Sequence, residues 1–590
     1  MKFRSWHLWL CAFLQAWQPG NAMPTAGISA HQKHETVGVP YEVGATVYQI
    51  LVDRFYDGDT SNNGPLEDTE RGRATNTLSQ TARTPEEASI DWRYRLMNGG
   101  DWKGVTKKID YIAGMGFKAI WISPISEPQL WASKFPKHWM PAFRNASPDE
   151  YITLPSAYHG YNAFNPDEYN HFFGTREDLR DLVNAAHDRG MSVVVDIVAN
   201  HVGSFLDPQK KEPGYSPKFF DASYTTTYRP AHPWDNTSWY KTDEVADDPT
   251  LKHNMDYLVS KGFTGLDNFN YRNTDTKRAI LNATAEHMAF IGADAMRIDA
   301  GLYVYPADLH DYEKITGLKS FVEIFDGDVR FISQWMTQEH QRLGSWGLLD
   351  FPVYHAIQHN FAQGRPFTDW NKSTVASVFA QDNVYGRNAL NLQTFVDNHD
   401  VDRFLTQAGG DIDKLHQALI FLFTVRGQPI VLYGTEQEKG NDGGKPIQGF
   451  FADTKNRWSM FTRDESSGEV LPTYFRTDTG IYQLVKKLNG LRDRFAALRT
   501  GLQREVWVDD SVYAFSRQCE IAGPEIIAIF SIDRIQRCLS IPLQGSALQK
   551  GSKLVNVWDD DDVIQVENVN GTNKVTVCVG AFSNKIYHGL

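Results

Sequence analysis

The stretch Val193-Val194-Val195-Asp196-Ile197-Val198-Ala199-Asn200-His201 decides how this chain is read. Its β-branched apolar run has the length of a buried parallel strand, and its polar groups cluster at the C-terminal end. Three later stretches repeat the pattern: Asp294-Ala295-Met296-Arg297-Ile298-Asp299-Ala300, Phe321-Val322-Glu323-Ile324-Phe325 and Thr394-Phe395-Val396-Asp397-Asn398-His399-Asp400. One Asp at a strand end is ordinarily a helix cap or a turn former. Four ordered segments of this kind instead predict a (β/α)8 barrel, whose loops after the strands open onto one chemically active face.

Outward from these segments the remaining strands fall into place. Residues 46–55 (TVYQILVDRF) read as the first strand and 117–124 (FKAIWISP) as the second; the third, fourth and fifth end at Asn200, Asp299 and Phe325. Residues 348–353 form a weaker sixth, 392–396 the seventh and 430–433 the eighth. Between them lie amphipathic helices such as 175–189, with Leu179, Leu182, Val183 and Ala186 on one face, a Thr175/Asp178 cap and a stop at Gly190. From 202 to 270 the pattern breaks into Pro, Asp, Tyr and Trp, a long excursion of the kind that usually carries function. From 501 short alternating runs (506–515, 526–532, 574–579) suggest an antiparallel β-sandwich domain. The expected organisation is a signal peptide 1–22, a barrel in two parts (23–201 and 271–500), an insertion 202–270 and a C-terminal β domain 501–590.

The composition, 41% hydrophobic and 13% aromatic, suits a globular core with a groove that stacks on flat ligands. A net charge of −13 argues against nucleic acid and anionic membrane surfaces as partners. Lys2 and Arg4 precede an apolar run over 6–17 and then Pro19-Gly20-Asn21-Ala22, which reads as a secretion signal cleaved after Ala22, too short for a membrane anchor. Sequons at Asn145, Asn236, Asn282, Asn371 and Asn570 agree with secretion. Cys11 leaves with the signal, so Cys519, Cys538 and Cys578 remain; the simplest pair is Cys519–Cys538, although spacing does not fix it, and no Cys-x-x-Cys favours a metal-thiolate site. The chain is expected to be a secreted monomer.

Three carboxylates, an arginine and two histidines on one barrel face suit the cleavage of glycosidic bonds, which needs a proton donor and a carboxylate beneath the anomeric carbon. The order and wording of the segments resemble the α-amylase family, glycoside hydrolase family 13, over about residues 43 to 499. Within it the likeness is strongest to cyclodextrin glucanotransferases and secreted fungal α-amylases. The resemblance makes Asp299 the nucleophile, Glu323 the acid/base and Asp400 a third carboxylate on the ring hydroxyls. Arg297 lies two residues before Asp299, so both side chains point the same way. By resemblance His201, His399 and His159 contact the sugar at the cleavage point, Tyr161 stacks under it, Phe325 is an acceptor-side aromatic, and Asp453 and Arg457 hold a more distant donor-side glucose. The excursion 202–270 becomes domain B, walling the groove.

Calcium enters by the same route. Asp57-Gly58-Asp59-Thr60-Ser61-Asn62-Asn63 with Gly99-Gly100-Asp101 matches a calcium loop of the glucanotransferases, and oxygen ligands on a turn suit a hard cation. A second site implied by the family would use Asn200, Asn268 and the carbonyl of Tyr303. There the chain departs from the family, as it does in having Leu302 and Tyr303 where Lys and His are usual, and Thr264 where the glucanotransferases keep a central aromatic. The glucanotransferases' additional C-terminal domains have no counterpart here. The expected function is endo-hydrolysis of α-1,4-glucan. A transglycosylase is the first rival, and a catalytically silent barrel is a second that the intact Asp299, Glu323 and Asp400 disfavour.

Overall fold

Eight parallel strands close into a ring in the computed structural model, which describes residues 38–63, 97–129, 131–136, 151–155, 157–204, 206, 230–241, 246, 248–263, 266–336, 344–444, 455–464, 466–519, 523–543 and 546–589. The strands are β1 Val47–Ile50, β2 Ala119–Ile122, β3 Ser192–Val198, β4 Ala295–Asp299, β5 Lys319–Val322, β6 Gly347–Leu348, β7 Gln393–Phe395 and β8 Gln428–Leu432. Their order is β6-β5-β4-β3-β2-β1-β8-β7, and a parallel bridge from Leu349 to Gln393 joins the two ends. Parallel strands in a barrel are covered on both sides, which is why their sequences are apolar runs and not alternating ones.

The side-chain period of two still sorts each strand into an inner and an outer row. Val47, Ala119, Trp121, Val194, Ala295, Phe321, Phe395 and Ile430 pack together inside the barrel. Val193, Val195, Met296, Ile298 and Val322 pack outward under the helices. Counting two residues on from the inner row gives Asp196, Arg297, Asp299 and Glu323. The register of β3 and β4 sets Asp196 directly beside Arg297.

The first helix after the ring's second strand, α1 Arg176–His187, starts at a capping box: Asp178 N–H donates to Thr175 Oγ1 at 3.1 Å and Thr175 N–H to Asp178 Oδ2 at 2.9 Å. It buries the four residues its periodicity selects, Leu179, Leu182, Val183 and Ala186. The helix α2 Thr274–Ile291 carries Asn282 on its exposed side.

Several expected boundaries move. The first strand stops at Ile50, and Val52–Phe55 is a helical turn. The fifth strand ends at Val322, before Phe325. The sixth is only Gly347–Leu348, because Asp350 caps a helix, α3 Phe351–Ile357, by accepting from Val353 N–H at 3.1 Å, with Pro352 in its first turn. After β2 the chain makes an excursion that the sequence did not announce, with Ser126–Pro128 pairing Ala163–Tyr169 and Trp131–Pro136 pairing Tyr151–Pro155. The excursion after β3 leaves and returns through the antiparallel pair His201–Val202 and Asp267–Asn268, and its described part contains the helix Met255–Ser260.

Two further helices, α4 Ile412–Thr424 and α5 Gly480–Arg494, lead towards the C-terminal strands. These are β9 Leu502–Val508, β10 Val512–Gln518, β11 Ile526–Ser531, β12 Arg537–Pro542, β13 Lys553–Asn556, β14 Asp559–Gln565, β15 Glu567–Val569, β16 Thr572–Val579 and β17 Ser583–Gly589. They form a six-stranded sheet, β9-β10-β11-β17-β13-β14, and a three-stranded sheet, β12-β16-β15, around one apolar core. The run 506–515 is therefore a hairpin of two strands, not one. The expected Cys519–Cys538 pair is replaced by Cys538–Cys578, which sit opposite each other on β12 and β16; Cys519 is free. Residues 1–22 and Asn145 lie outside the described residues, among which no helix is long and apolar enough to cross a membrane.

Candidate active site

At the C-terminal ends of β3, β4 and β5 one guanidinium gathers three carboxylates. Arg297, fully buried, donates through Nη1 to Asp196 Oδ1 at 2.9 Å and to Asp299 Oδ1 at 2.7 Å, and its Nη2 lies 3.0 Å from Glu323 Oε1. Three acids around one base leave an excess of negative charge in a dry place. Burial is the largest influence on both outer acids, opposed by Arg297 and reinforced by neighbouring carboxylates: Asp299 is pushed up to about 7 and Glu323 to about 8. The backbone turns at Ala300 in the left-handed region (φ 50), which aims its N–H at Glu323 Oε2, 3.0 Å away.

A second cluster comes from the end of β7. Arg457 Nη2 donates to Asp400 Oδ1 at 2.8 Å, and its Nη1 donates to Tyr158 Oη at 3.1 Å. His399 Nε2 lies 3.3 Å from Asp400 Oδ2. The Gln49 amide lies 2.7 Å from His399 Nδ1; with that amide nitrogen as donor, Nε2 carries the imidazole proton toward Asp400. His201 Nε2 is 3.7 Å from Asp299 Oδ2. Burial drives both histidines down, His201 to about 3, so each is neutral at neutral pH.

Tyr161 joins the two clusters. Its hydroxyl donates to Asp196 Oδ2 at 2.7 Å, and its ring stacks on His399 at 5.0 Å and 11°. One ring face is thus covered by the imidazole, and His159 Nδ1 accepts the Tyr161 N–H at 3.0 Å. Phe325 stands away from the carboxylates with 48% exposure, its ring 4.3 Å from that of Phe351. Arg457, expected to hold a donor-side glucose, lies in the central cluster on Asp400. Its expected partner Asp453 lies outside the described residues, as does Thr264.

Asp196, Trp121, Gln49 and Tyr158 were not singled out from the sequence as site residues. Trp121 Nε1 donates to Asp196 Oδ2 at 3.0 Å, and Arg54 sits 4.1 Å over the Tyr158 ring. The inward parity of Gln49, Trp121 and Asp196 was the available signal for three of the four. Phe263, next to Thr264, stacks on His201 at 5.5 Å and packs against Tyr303 at 5.4 Å.

The loop 57–63 offers Asp57 Oδ1, Asn62 Oδ1 and Asn63 Oδ1, all buried without a hydrogen-bond donor. Three orphan oxygens on one turn fit a hard cation. Gly99 takes a positive φ of 90 beside them, where a Cβ would fall 2.2 Å from Asn63 Oδ1. Asp101 instead caps the helix Trp102–Lys107 and accepts from Gly104, Gly58 and Asp59 N–H groups; burial pushes it up to about 6. Asp59 is held by Lys103 at 2.7 Å, and Arg463 contacts Asp57. Asp59 is thus turned from its expected role. The second expected site fits calcium poorly. Asn200 Nδ2 donates to Asn268 Oδ1 at 2.6 Å, the same oxygen accepts from Phe263 N–H at 2.8 Å, and Tyr303 packs its ring on Phe263. Of the two asparagine side-chain oxygens, Asn200 Oδ1 alone is left without a partner. Among the described residues no three Asp, Glu, His or Cys side chains group as metal ligands.

A closed (β/α)8 barrel with Arg297-linked carboxylates at its strand ends defines a glycosidase-type enzyme. Residues 49–501 match the family model "Alpha amylase, catalytic domain", and the chain belongs to that family. It is an α-amylase-type glycoside hydrolase. It is 30% identical to the Beta/alpha-amylase of Paenibacillus polymyxa over 550 residues, covering 92% of this chain but only 37% of that protein. It is 27% identical to an alpha-amylase of Niallia circulans, covering 85% and 81% of the two chains. The crystal structure of a cyclomaltodextrin glucanotransferase with a three-domain ABC distribution superposes with a TM-score of 0.70 at 25% identity, covering 93% of this chain and 99% of that one.

Proposed function

We propose that this protein is a secreted, retaining endo-hydrolase of α-1,4-glucosidic bonds in starch-like glucans. The observation that carries the reading is the Arg297 fork shared between Asp299 and Glu323. Asp299 in its ionised form, hydrogen-bonded to Arg297, attacks the anomeric carbon from below. The glycosidic bond breaks as Glu323 gives its proton to the leaving oxygen, and Asp299 then holds the sugar as an ester. Glu323, now a carboxylate, takes a proton from water, whose oxygen attacks the same carbon and frees Asp299. Asp400, steadied by Arg457 and His399, binds ring hydroxyls more tightly as positive charge develops on the sugar. His201 and His399, held neutral, donate hydrogen bonds without adding charge.

Calcium at Asp57, Asn62 and Asn63 would tie down the loop and take no part in bond cleavage. Secretion is supported by the leader-like residues 1–22 and by the exposed sequon residues Asn236, Asn282, Asn371 and Asn570. The segments 202–270 and 501–590 are proposed as domain B and the β domain. Transfer to a sugar acceptor is the second reading, favoured by the exposed Phe325 ring and by the glucanotransferase neighbour. Digestion of soluble starch followed by chromatography separates the two: linear maltooligosaccharides support hydrolysis, whereas cyclic products overturn it in favour of transfer.

A further inference from the structure

Trp558 presents an indole 37% exposed to solvent, and no ring or cation of the described residues stacks on it. Its backbone is firmly held. Asn556 Oδ1 accepts the Trp558 N–H at 3.1 Å, the neighbouring Val557 N–H donates to Ile586 carbonyl at 2.8 Å, and β14 begins at the next residue. The indole faces a groove of about 540 Å³ between the C-terminal sheets and two barrel helices. The helix α4 lends His416, α5 lends Gln483, Leu484 and Lys487, and β17 lends Asn584. None of these takes part in the catalytic cluster.

An exposed flat ring on a held backbone, bordered by two amides, an imidazole and an ammonium, matches a particular kind of ligand. A pyranose offers an apolar C–H face to the ring and hydroxyls that both donate and accept at its edge. The Asn584 amide and the His416 ring can do both in return, and the Gln483 amide, whose Nε2 already donates to the Thr477 carbonyl at 2.6 Å, still has an accepting oxygen. Among the described residues that line the groove the one full charge is positive, Lys487, on a chain of net charge −13, and a neutral polymer enters such a place without charge repulsion.

We propose that this groove is a second, non-catalytic binding site for a short run of α-glucan, anchoring the polymer while its other part is cut. The proposal rests on the α-glucan reading above. The test uses the full chain and two readouts: adsorption to granular starch in the cold, and kcat/KM on a short chromogenic maltooligosaccharide. Trp558→Ala should weaken adsorption about tenfold, as truncation of a Trp anchor does, with kcat/KM unchanged. Trp558→Phe should restore most of it. The exposed pair Gln483→Ala with Lys487→Ala, whose side chains carry no core packing, should weaken adsorption even if Trp558→Ala folds poorly. Adsorption equal to wild type in the pair, or in a folded Trp558→Ala, overturns the groove site. Absence of turnover on the oligosaccharide by the wild type would instead overturn the proposed function.

Discussion

Arg297 carries more of the site than any other residue, because its guanidinium is the only positive group touching Asp196, Asp299 and Glu323 among the described residues. Arg297→Ala would strand three buried carboxylates. It is expected to destabilise the fold by about 3–5 kcal/mol, read from urea unfolding, and to abolish activity. Arg297→Lys keeps the charge but not the fork, so more of the stability than of the activity should survive. The acids also set a pH window. The nucleophile must be ionised and the acid protonated, so kcat/KM should be bell-shaped in pH, with both limbs moved up from the ordinary carboxylate range because burial raises Asp299 and Glu323 alike. Glu323→Gln should cost about 10²–10⁴-fold and should lose the alkaline limb from whatever activity remains. A surviving alkaline limb would transfer the acid role to another group.

At the scale of elements, the loop 57–63 is linked to the segment that carries Arg457. Arg463 contacts Asp57 and donates to the Asn98 carbonyl at 2.9 Å, while Met460 N–H donates to the Arg54 carbonyl at 2.8 Å. Chelation should lower the melting temperature more than room-temperature activity, since a cation that binds only the folded state stabilises it by mass action. Asp57→Ala with Asn63→Ala, which removes two of the three orphan oxygens, should remove much of that response. A melting curve unmoved by chelator, with no metal by elemental analysis, would end the calcium proposal. The Cys538–Cys578 bond closes 40 residues of chain between β12 and β16. Its removal by Cys538→Ser with Cys578→Ser should cost at most about 4 kcal/mol, seen as earlier melting of the C-terminal sheets. The sequence left this pairing open because opposition of two cysteines depends on strand register, which Cys spacing does not encode. The sixth strand was misjudged for a related reason: Leu348 and Leu349 continue into an apolar run, and only the Asp350 cap and Pro352 mark where helix replaces strand.

For the whole molecule, the barrel was legible because buried parallel strands leave long β-branched runs with chemistry at one end. Arg297, Asp299, Glu323 and Asp400 were legible with it, on or just beyond the C-terminal halves of β4, β5 and β7. Tyr158 was not, since it reaches the site from a turn outside the strands; Gln49 and Trp121 showed only their inward parity, and the closed ring is what brings them near. The inner-row parity explains why Asp196 sits with Arg297 although 101 residues separate them. All of this converges on one chemical statement, that Asp299 forms a covalent bond to the sugar and Glu323 serves it as acid and then base. Two displacements at one carbon restore its configuration, whereas direct attack by water inverts it. Proton NMR of the first products released from an α-glucan measures this directly. The account predicts α-anomers first, mutarotating later to the equilibrium mixture; β-anomers appearing first would contradict it.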